Sequence, residues 1–482
     1  MSSFNLSEQA DPNKIFLTKF SELEGRFDPY FYTIQFLKVK QLDSISHYPI
    51  IAISSLSFLV VDGIHKTPSY GMNGLPFIQV NNIIEGSINF NDNVKKVSKE
   101  WKNEVLSRYT PKSGDVLVTK DGTIGVATVV PNEFELFSIF VSVLAIRPKM
   151  NLIIPEYLRI VISSSVVQQQ ILRSTKGAVL SHLLLEEARK LKIPTPPKNI
   201  QAEIVEKMDV AYQNKQNKEV QAKKLLSSIN TYLLAELGIN LPKQTDNSLK
   251  ARIFTKRLSD IASGRFDCEY YQSKYFNFEE SLINTGKYVL LKDLLQMIES
   301  GSRPTGGVGQ IKNGILSFGG THVSRDGYID TSKAKYIPIE YHQKHLITAT
   351  KINDLLLVKD GATTGKIAII QKSEHENQNI NEHVFLMRLK EGVNSVYLLS
   401  YLKSSFGNMQ IKREITGATV TGLTKDVVND LKIPLPPLEK QNQIAEHIGQ
   451  IRERAKQLQL DAKTGLEKAK QEVETMILGS EV

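Results

Sequence analysis

The sequence predicts an α+β protein made of two tandem copies of one module, each followed by a long helix. Three observations carry that reading. The first is repetition: Gly25-Arg26-Phe27-Asp28 returns 239 residues later as Gly264-Arg265-Phe266-Asp267, and Asp115–Gly122 returns at the same distance as Asp354–Gly361. Leu191–Pro197 returns 240 residues on as Leu431–Pro437. An offset this steady means duplication in the same order, not a short-period solenoid. The second is the alternation, inside each copy, of short Val-, Ile- and Phe-rich runs with glycine, proline, Asn and Asp turns, the pattern of short strands. The third is a heptad-like stripe after each double proline.

From about Phe16 to Lys198, turns at Asp62-Gly63, Asn73-Gly74, Glu85-Gly86 and Ser113-Gly114-Asp115 separate strand-like runs. Pro155–Leu172 follows with Tyr157, Leu158, Val161, Ile162 and Ile171 near helical spacing, which predicts a helix; Val393–Ile411 is its counterpart. Pro194, Pro196 and Pro197 then forbid helix, because proline lacks the amide that a helix interior needs. A long periodic helix starts directly after them. In the first copy Ile204, Met208, Ala211, Lys215, Lys218, Ala222, Leu225, Ile229 and Tyr232 alternate at steps of four and three. In the second, Ile444, Ile448, Ile451, Ala455, Leu458, Ala462, Gly465, Ala469 and Met476 fall on the same phase. Two such stripes, each closing a copy, predict that the helices pair with one another. Small residues on one and bulky residues on the other predict an antiparallel coiled coil, which gives the two copies pseudo-two-fold symmetry. Lys215 and Lys218 would snorkel outward along their stems or fix the register. The expected domain limits are 1–198 and 241–438 for the modules, and 199–240 and 439–482 for the helices.

Composition sets outer bounds. The chain has 482 residues, 41% hydrophobic and 23% charged, values ordinary for a globular protein with room for several domains. A net charge of +9 admits an acidic partner without naming it. Cys268 is the only cysteine, which excludes an internal disulfide and a thiolate metal cage, and fits a reducing cytoplasm. Met1–Asn13 is polar and lacks the basic-then-apolar order of a signal peptide. The apolar stretches Ile50–Val61 and Leu136–Ile146 are short and interrupted by serine, so they read as buried strands and no membrane contact is expected.

Three recurring elements then carry a family resemblance. One is the block Gly114–Gly125, repeated as Asn353–Gly365, with Lys-Asp-Gly at its centre. Another is the Gly-Ala turn at Gly177-Ala178 and Gly417-Ala418. The last is the Ile-Pro-x-Pro-Pro…Gln junction at Ile193–Ile204 and Ile433–Ile444. In this order, duplicated and joined to two long helices, they resemble the specificity subunit of type I restriction–modification systems over essentially the whole chain. The resemblance implies two DNA target recognition domains, each reading one half of a split, asymmetric sequence in double-stranded DNA. It implies spacer helices that dock methyltransferase subunits, and a restriction/translocase subunit completing the complex. No active site, metal or cofactor would belong to this chain; S-adenosylmethionine, magnesium and ATP would sit in the partner subunits. The opening loop departs between copies: Asp62–Tyr70 resembles the family's usual loop, whereas Ser300–Gly307 does not. Three alternatives stay open: the recognition subunit of a related combined methyltransferase–nuclease system, a self-contained DNA-modifying enzyme, and a coiled-coil scaffold without sequence preference.

The residues speak against chemistry of the chain's own. An amino-methyltransferase needs a polar residue before, and an aromatic after, its double proline. Here Thr195 and Lys198 flank one pair, and Leu435 and Leu438 the other. Gly361–Ile367 is one residue short of a phosphate-binding loop and has no Ser or Thr after Lys366. Asp92, Glu100 and Lys102 superficially suggest a nuclease site but have no second-copy equivalent, and His322, His342, His345 and His375 lack zinc-site spacing. DNA contacts are expected instead from glycine-bounded loops, where the backbone can approach phosphates and polar side chains reach base edges. The candidates are His65, Lys66, Thr67, Ser69, Tyr70, Lys120, Thr123, Lys176, Ser181 and His182 in the first copy. In the second they are Ser302, Arg303, Thr305, His322, Lys359, Thr363, Thr364, Lys366, Thr419 and Thr421. Lys120 and Lys359 stand first, since both precede Asp-Gly at the same place, with Asp121 and Asp360 expected to shape the turn.

Overall fold

A computed structural model of the chain describes residues 17, 32–33, 39, 41–91, 94–175, 182–240, 248, 253–261, 265–283, 286, 288–308, 311–417 and 421–479. Met1–Asn13, Gly25–Asp28, Asp92, Lys176, Gly177-Ala178, Ser181, Gly264, Ala418 and Thr419 fall outside them. The chain divides into two compact units, Met1–Glu219 with Gln459–Val482, and Val220–Leu458.

In the first unit Val116–Thr119 is buried at all four positions, as an apolar run covered on both faces should be. It is an inner strand of an antiparallel sheet ordered Ser57–Asp62, Val143–Pro148, Val116–Thr119, Ala127–Val129. A smaller sheet sets Tyr70–Ile78 between Lys96–Val97, antiparallel, and Ser138–Ile139, parallel. Ile50–Ala52 pairs with Lys192–Pro194 and so ties the start of the module to its proline end. The second unit repeats these three sheets: Leu295–Ser300, Val384–Leu389, Leu355–Val358 and Ile367–Ile369 form the large one. Ile315–Phe318 lies between Tyr336–Ile337 and Asn379–Ile380 in the small sheet, and Tyr288–Leu290 pairs with Lys432–Pro434. Mixed α and β content, duplicated, is the fold class that the sequence predicts.

The repetition extends to individual bonds. Arg147 grips Asp115 and Arg388 grips Asp354, each closest at 2.7 Å. Tyr157 donates its hydroxyl to Pro194 O and Tyr397 to Pro434 O, at 2.7 and 2.6 Å. The turn before the inner strand needs a left-handed backbone, met by Gly114 (φ 81°) in one copy and by Asn353 (φ 73°) in the other. The expected helix Pro155–Leu172 is two helices, Pro155–Ser163 and Ser165–Ser174. Ser164 between them is extended (ψ 156°), and its hydroxyl donates to Val161 O at 2.6 Å, so helical bonding stops there. Ser404 divides Ser395–Lys403 from Ser405–Glu414 in the same way.

The double-proline junction has a structural cause. Gln201 is fully buried; its carbonyl oxygen accepts from Ile154 N at 2.8 Å and its amide donates to Pro196 O at 2.9 Å. Gln441 repeats this with Asn394 N and Pro436 O, both at 2.9 Å. The long helices that follow are Lys198–Glu236 and Leu438–Leu478. Within the first unit Ile204 and Met208 share a core with Leu466, Val473 and Ile477, beside partly buried Ala211 and Ala469, and Lys207 meets Glu472 at 2.6 Å. Within the second unit Ala222 and Leu225 pack with Ala455 and Leu458, Tyr232 lies 4.3 Å from His447, and Glu236 meets Lys440. Partners therefore run in opposite directions there. Ile444 and Ile448 are fully buried, Ile229 packs on their core, Ile451 is half-buried and Ala462 buried. One stripe position moves: Gly465 is exposed and Leu466 is buried in its stead, a step of four where three was expected. Among the described residues, no helix is long and apolar enough to cross a membrane.

Candidate nucleic-acid interface

The inner strand of each large sheet ends in the Lys-Asp-Gly turn, so the turn's place follows from the strand. Lys120 N donates to Ser142 O at 2.9 Å and Lys120 O accepts from Leu183 N at 2.9 Å; Lys359 does the same with His383 O and Leu423 N at 2.9 and 2.7 Å. Both lysines are mostly covered along their stems. Lys120 Nζ stands 3.4 Å from Asp121 and 4.0 Å from Asp62. Lys359 Nζ stands 3.9 Å from Asp360 and 5.4 Å from the centre of the Phe385 ring.

Each turn's aspartate is held by a histidine, but from different places. Asp121 takes His182 Nδ1 at 2.8 Å, whereas Asp360 takes His383 Nδ1. The aspartates thus engage charged and imidazole partners in addition to shaping the turn. In the first unit the cluster spreads further: buried Asp62 receives Arg108 at 2.5 Å and His65 at 3.1 Å. His65, Lys120 and His182 were expected; Arg108, at the end of helix Lys102–Arg108 and 46 residues from Asp62, was not, and no local spacing announces it. Gly63 lets this loop pass the small sheet, since a Cβ there would stand 2.1 Å from Ile139 O. Gly301 does the same against Ile380 O at 2.2 Å.

The remaining described first-unit candidates are placed as follows. Lys66 is exposed and 3.3 Å from Glu104, Thr67 and Thr123 are exposed, and Ser69 shares a hydrogen bond with Ser98 at 2.8 Å. Tyr70 is partly exposed with Lys95 Nζ 5.0 Å above its ring. Strand Tyr70–Ile78 bulges between Tyr70 and Leu75, so the expected Asn73-Gly74 turn is a bulge within one strand; Met72, 92% exposed, projects there and was not among the candidates. In the second unit Arg303 is exposed and meets Glu382 at 2.9 Å, Thr305 is exposed, and Ser302 accepts from the Tyr341 hydroxyl at 2.8 Å.

One second-unit expectation needs correction, and the neighbouring candidates are placed by the turn. His322 is 1% exposed, its Nδ1 accepting from Gly319 N and its Nε2 bonding Lys333 O; burial pushes its pKa down, so it is a neutral core residue with no face for a ligand. Thr364 donates to Gly361 O at 2.6 Å, and Thr421 to the same oxygen at 3.0 Å, so these hydroxyls brace the turn. Thr363 bonds Gly320 O at 3.4 Å and is half-buried; Lys366 lines a neighbouring cavity. Among the described residues, no group of three or more His, Cys, Asp or Glu side chains is placed to hold a metal ion.

The specificity subunit of the type I restriction enzyme EcoBI from Escherichia coli is 29% identical over 157 residues, 33% of this chain and 32% of that one. The MjaVIII specificity subunit from Methanocaldococcus jannaschii is 28% identical over 167 residues, 33% of this chain and 34% of that one. The chain thus aligns with about a third of the length of these curated relatives. A solved structure described by the complex assembly and conformational transition of the type I R-M system has the same fold, with a TM-score of 0.53 at 15% identity over 89% of this chain and 96% of that one. The family model for the type I restriction modification DNA specificity domain matches residues 66–225 and 282–467, one stretch in each copy. The chain belongs to that family.

Proposed function

We propose that this chain is the non-catalytic DNA-recognition subunit of a type I restriction–modification complex. It binds a bipartite asymmetric site in double-stranded DNA and directs partner methyltransferase and restriction/translocase subunits, which supply S-adenosylmethionine, magnesium and ATP chemistry in the cytoplasm. The observation that carries this reading is the twin Lys-Asp-Gly turn, presented at the same strand end in both copies but with different side chains around it. Like scaffolds with unlike surroundings suit two unequal half-sites, the backbone-directed lysine being shared and the base-directed neighbours differing. Residues 1–198 and 241–438 are the readers, and 199–240 and 439–482 are spacer helices that pair as an antiparallel coiled coil.

Purified chain given S-adenosylmethionine should transfer no methyl groups, and should enable methylation at split target sites once its cognate methyltransferase subunit is added. Substantial methyl transfer by the chain alone, or unchanged site choice without it, would overturn the proposal.

A further inference from the structure

The second unit has a half-open cavity of about 330 Å³ between strand Ile367–Ile369, the two helices divided by Ser404, and the loop at Ser324-Arg325. Arg325, Lys366, Lys403 and Lys412 line it, Ser324 and Asn408 add neutral polar groups, and no carboxylate is among the described lining residues. Lys403 Nζ donates to Arg325 O. Burial, with Arg452 adding to it, pushes the Lys403 pKa down to about 8, while exposed Asp326 pulls the other way. Gathering four like charges in one concavity is unfavourable unless an anion offsets them.

The first unit shows that the fold does not require these charges. Val126 O accepts from Thr119 N as Lys366 O accepts from Val358 N, so Val126 stands where Lys366 does. Ser163 closes its helix where Lys403 closes its own, and Leu172 holds the place of Lys412 in the next helix. Arg325 sits in a turn one residue longer than that of the first unit, since Asp330 N reaches back to His322 O where Asn89 N reaches back to Asn82 O, and so has no single counterpart. At the place of Asn408, Gln168 reaches inward to Gly125 O and Ile162 O at 2.9 and 2.8 Å. The nearby cation, Arg159, lies against the Tyr212 ring. Lys366, Lys403 and Lys412 thus replace neutral residues.

We propose that this cavity is a phosphate-binding site peculiar to the second unit. Several ammonium and guanidinium donors around a space of this size match a tetrahedral group with acceptor oxygens on every side. The phosphate is either a phosphodiester of the duplex or a free phosphate group. The duplex source rests on the recognition reading above; the free-phosphate source does not.

The test uses the full chain with Lys366→Val and Lys412→Leu together, which install the first unit's own residues, and Lys372→Gln with Lys292→Gln as an exposed control. Inorganic phosphate should show ³¹P line broadening with the wild type and control that the double variant abolishes. In complex with the methyltransferase subunit, the double variant's duplex affinity should depend less on salt, the log–log slope shrinking by about 0.9 for one phosphate contact. Loss in both arms, or in the duplex arm alone, supports a phosphodiester; loss in the phosphate arm alone supports a free phosphate group. No difference from the control in either arm overturns the proposal. Wild-type and control complexes that fail to bind duplex would instead sink the recognition reading, leaving the phosphate arm to decide the cavity.

Discussion

Asp115 and Asp354 are nearly sealed from solvent, and each depends on an arginine from the neighbouring strand. Removing the arginine from such a pair strands a buried carboxylate, at a cost of about 3–5 kcal/mol. Arg147→Met should therefore destabilise the first unit, and Arg388→Met the second, by that amount in denaturant unfolding followed by hydrogen exchange within each unit. Losses under about 1 kcal/mol would mean the pairs behave like surface ion pairs. Asp115 has a further donor, the Tyr109 hydroxyl at 2.8 Å, whose pKa burial and that carboxylate push far up, so it keeps its proton. Lys403 gives a pH signature. Unfolded, a lysine holds its proton to about pH 10.5; in this unit burial releases it near pH 8. Between those values the unfolded state binds more protons, so stability rises with pH. Arg325, Lys366, Lys412, Arg452 and Asp326 surround it, and Lys403→Met should remove the rise. In phosphate-free buffer the wild type should gain on the variant from about pH 8 to about pH 10.5; a constant difference would show that Lys403 titrates normally. Little of this was legible in the sequence: the arginines lie 32 and 34 residues from their aspartates and Arg325 lies 78 from Lys403, separations that leave no local spacing. His322 shows the same limit: a histidine in the run Gly319-Gly320-Thr321-His322 reads as an exposed loop residue until its neighbours bury it.

At the scale of elements the sequence was far more informative, because strands and helices answer to local rules. The inner strands were plain as apolar runs bounded by turns, and the long helices as periodic stripes beyond prolines. What escaped was phase and interruption. Ser164 and Ser404 break helices whose apolar spacing runs on without pause, since serine competes for backbone bonds in a way that periodicity does not register. The burial of Leu466 in place of Gly465 reflects packing that a strict heptad count cannot anticipate. The Pro-Pro…Gln junction was legible as a boundary, but the role of its glutamine emerges only from the fold. Gln201 and Gln441 each satisfy a backbone amide at the start of a helix more than forty residues earlier. Orphaning a buried amide costs about 1–3 kcal/mol. Gln201→Leu should accordingly weaken the first unit, and Gln441→Leu the second, by that amount, with Ile154 and Asn394 losing amide protection first. Unchanged protection at those two amides would show that solvent takes over the bond.

At the scale of the whole molecule, duplication followed by divergence is the organising fact. Paired positions that hold the fold are chemically alike, as with Arg147 and Arg388, Tyr157 and Tyr397, or Gln201 and Gln441. Paired positions around the Lys-Asp-Gly turns are not: His182 serves one aspartate and His383 the other, and Asp62 with Arg108 has no counterpart among the described contacts of the second unit. A scaffold kept constant while its rim changes is what independent readers require, because sequence preference then resides in each rim. Exchanging residues from about Asp260 to Leu431 for those of a relative should alter one half of the methylated target and leave the other half untouched. Sequencing methylated sites in cells that carry the chimera and its methyltransferase subunit measures this directly. A chimera that changed both halves would mean that the two copies read DNA jointly. One that methylates the original site unchanged would place the second half's preference outside Asp260–Leu431. Lys359→Gln, made in the intact chain, separates backbone from base contact. Its loss should weaken binding at every site alike, with a salt slope smaller by about 0.9, and should leave the methylated sequence as it was. A shifted sequence would assign the shared lysine to a base edge, and the two turns would then be readers themselves instead of the common footing on which the readers stand.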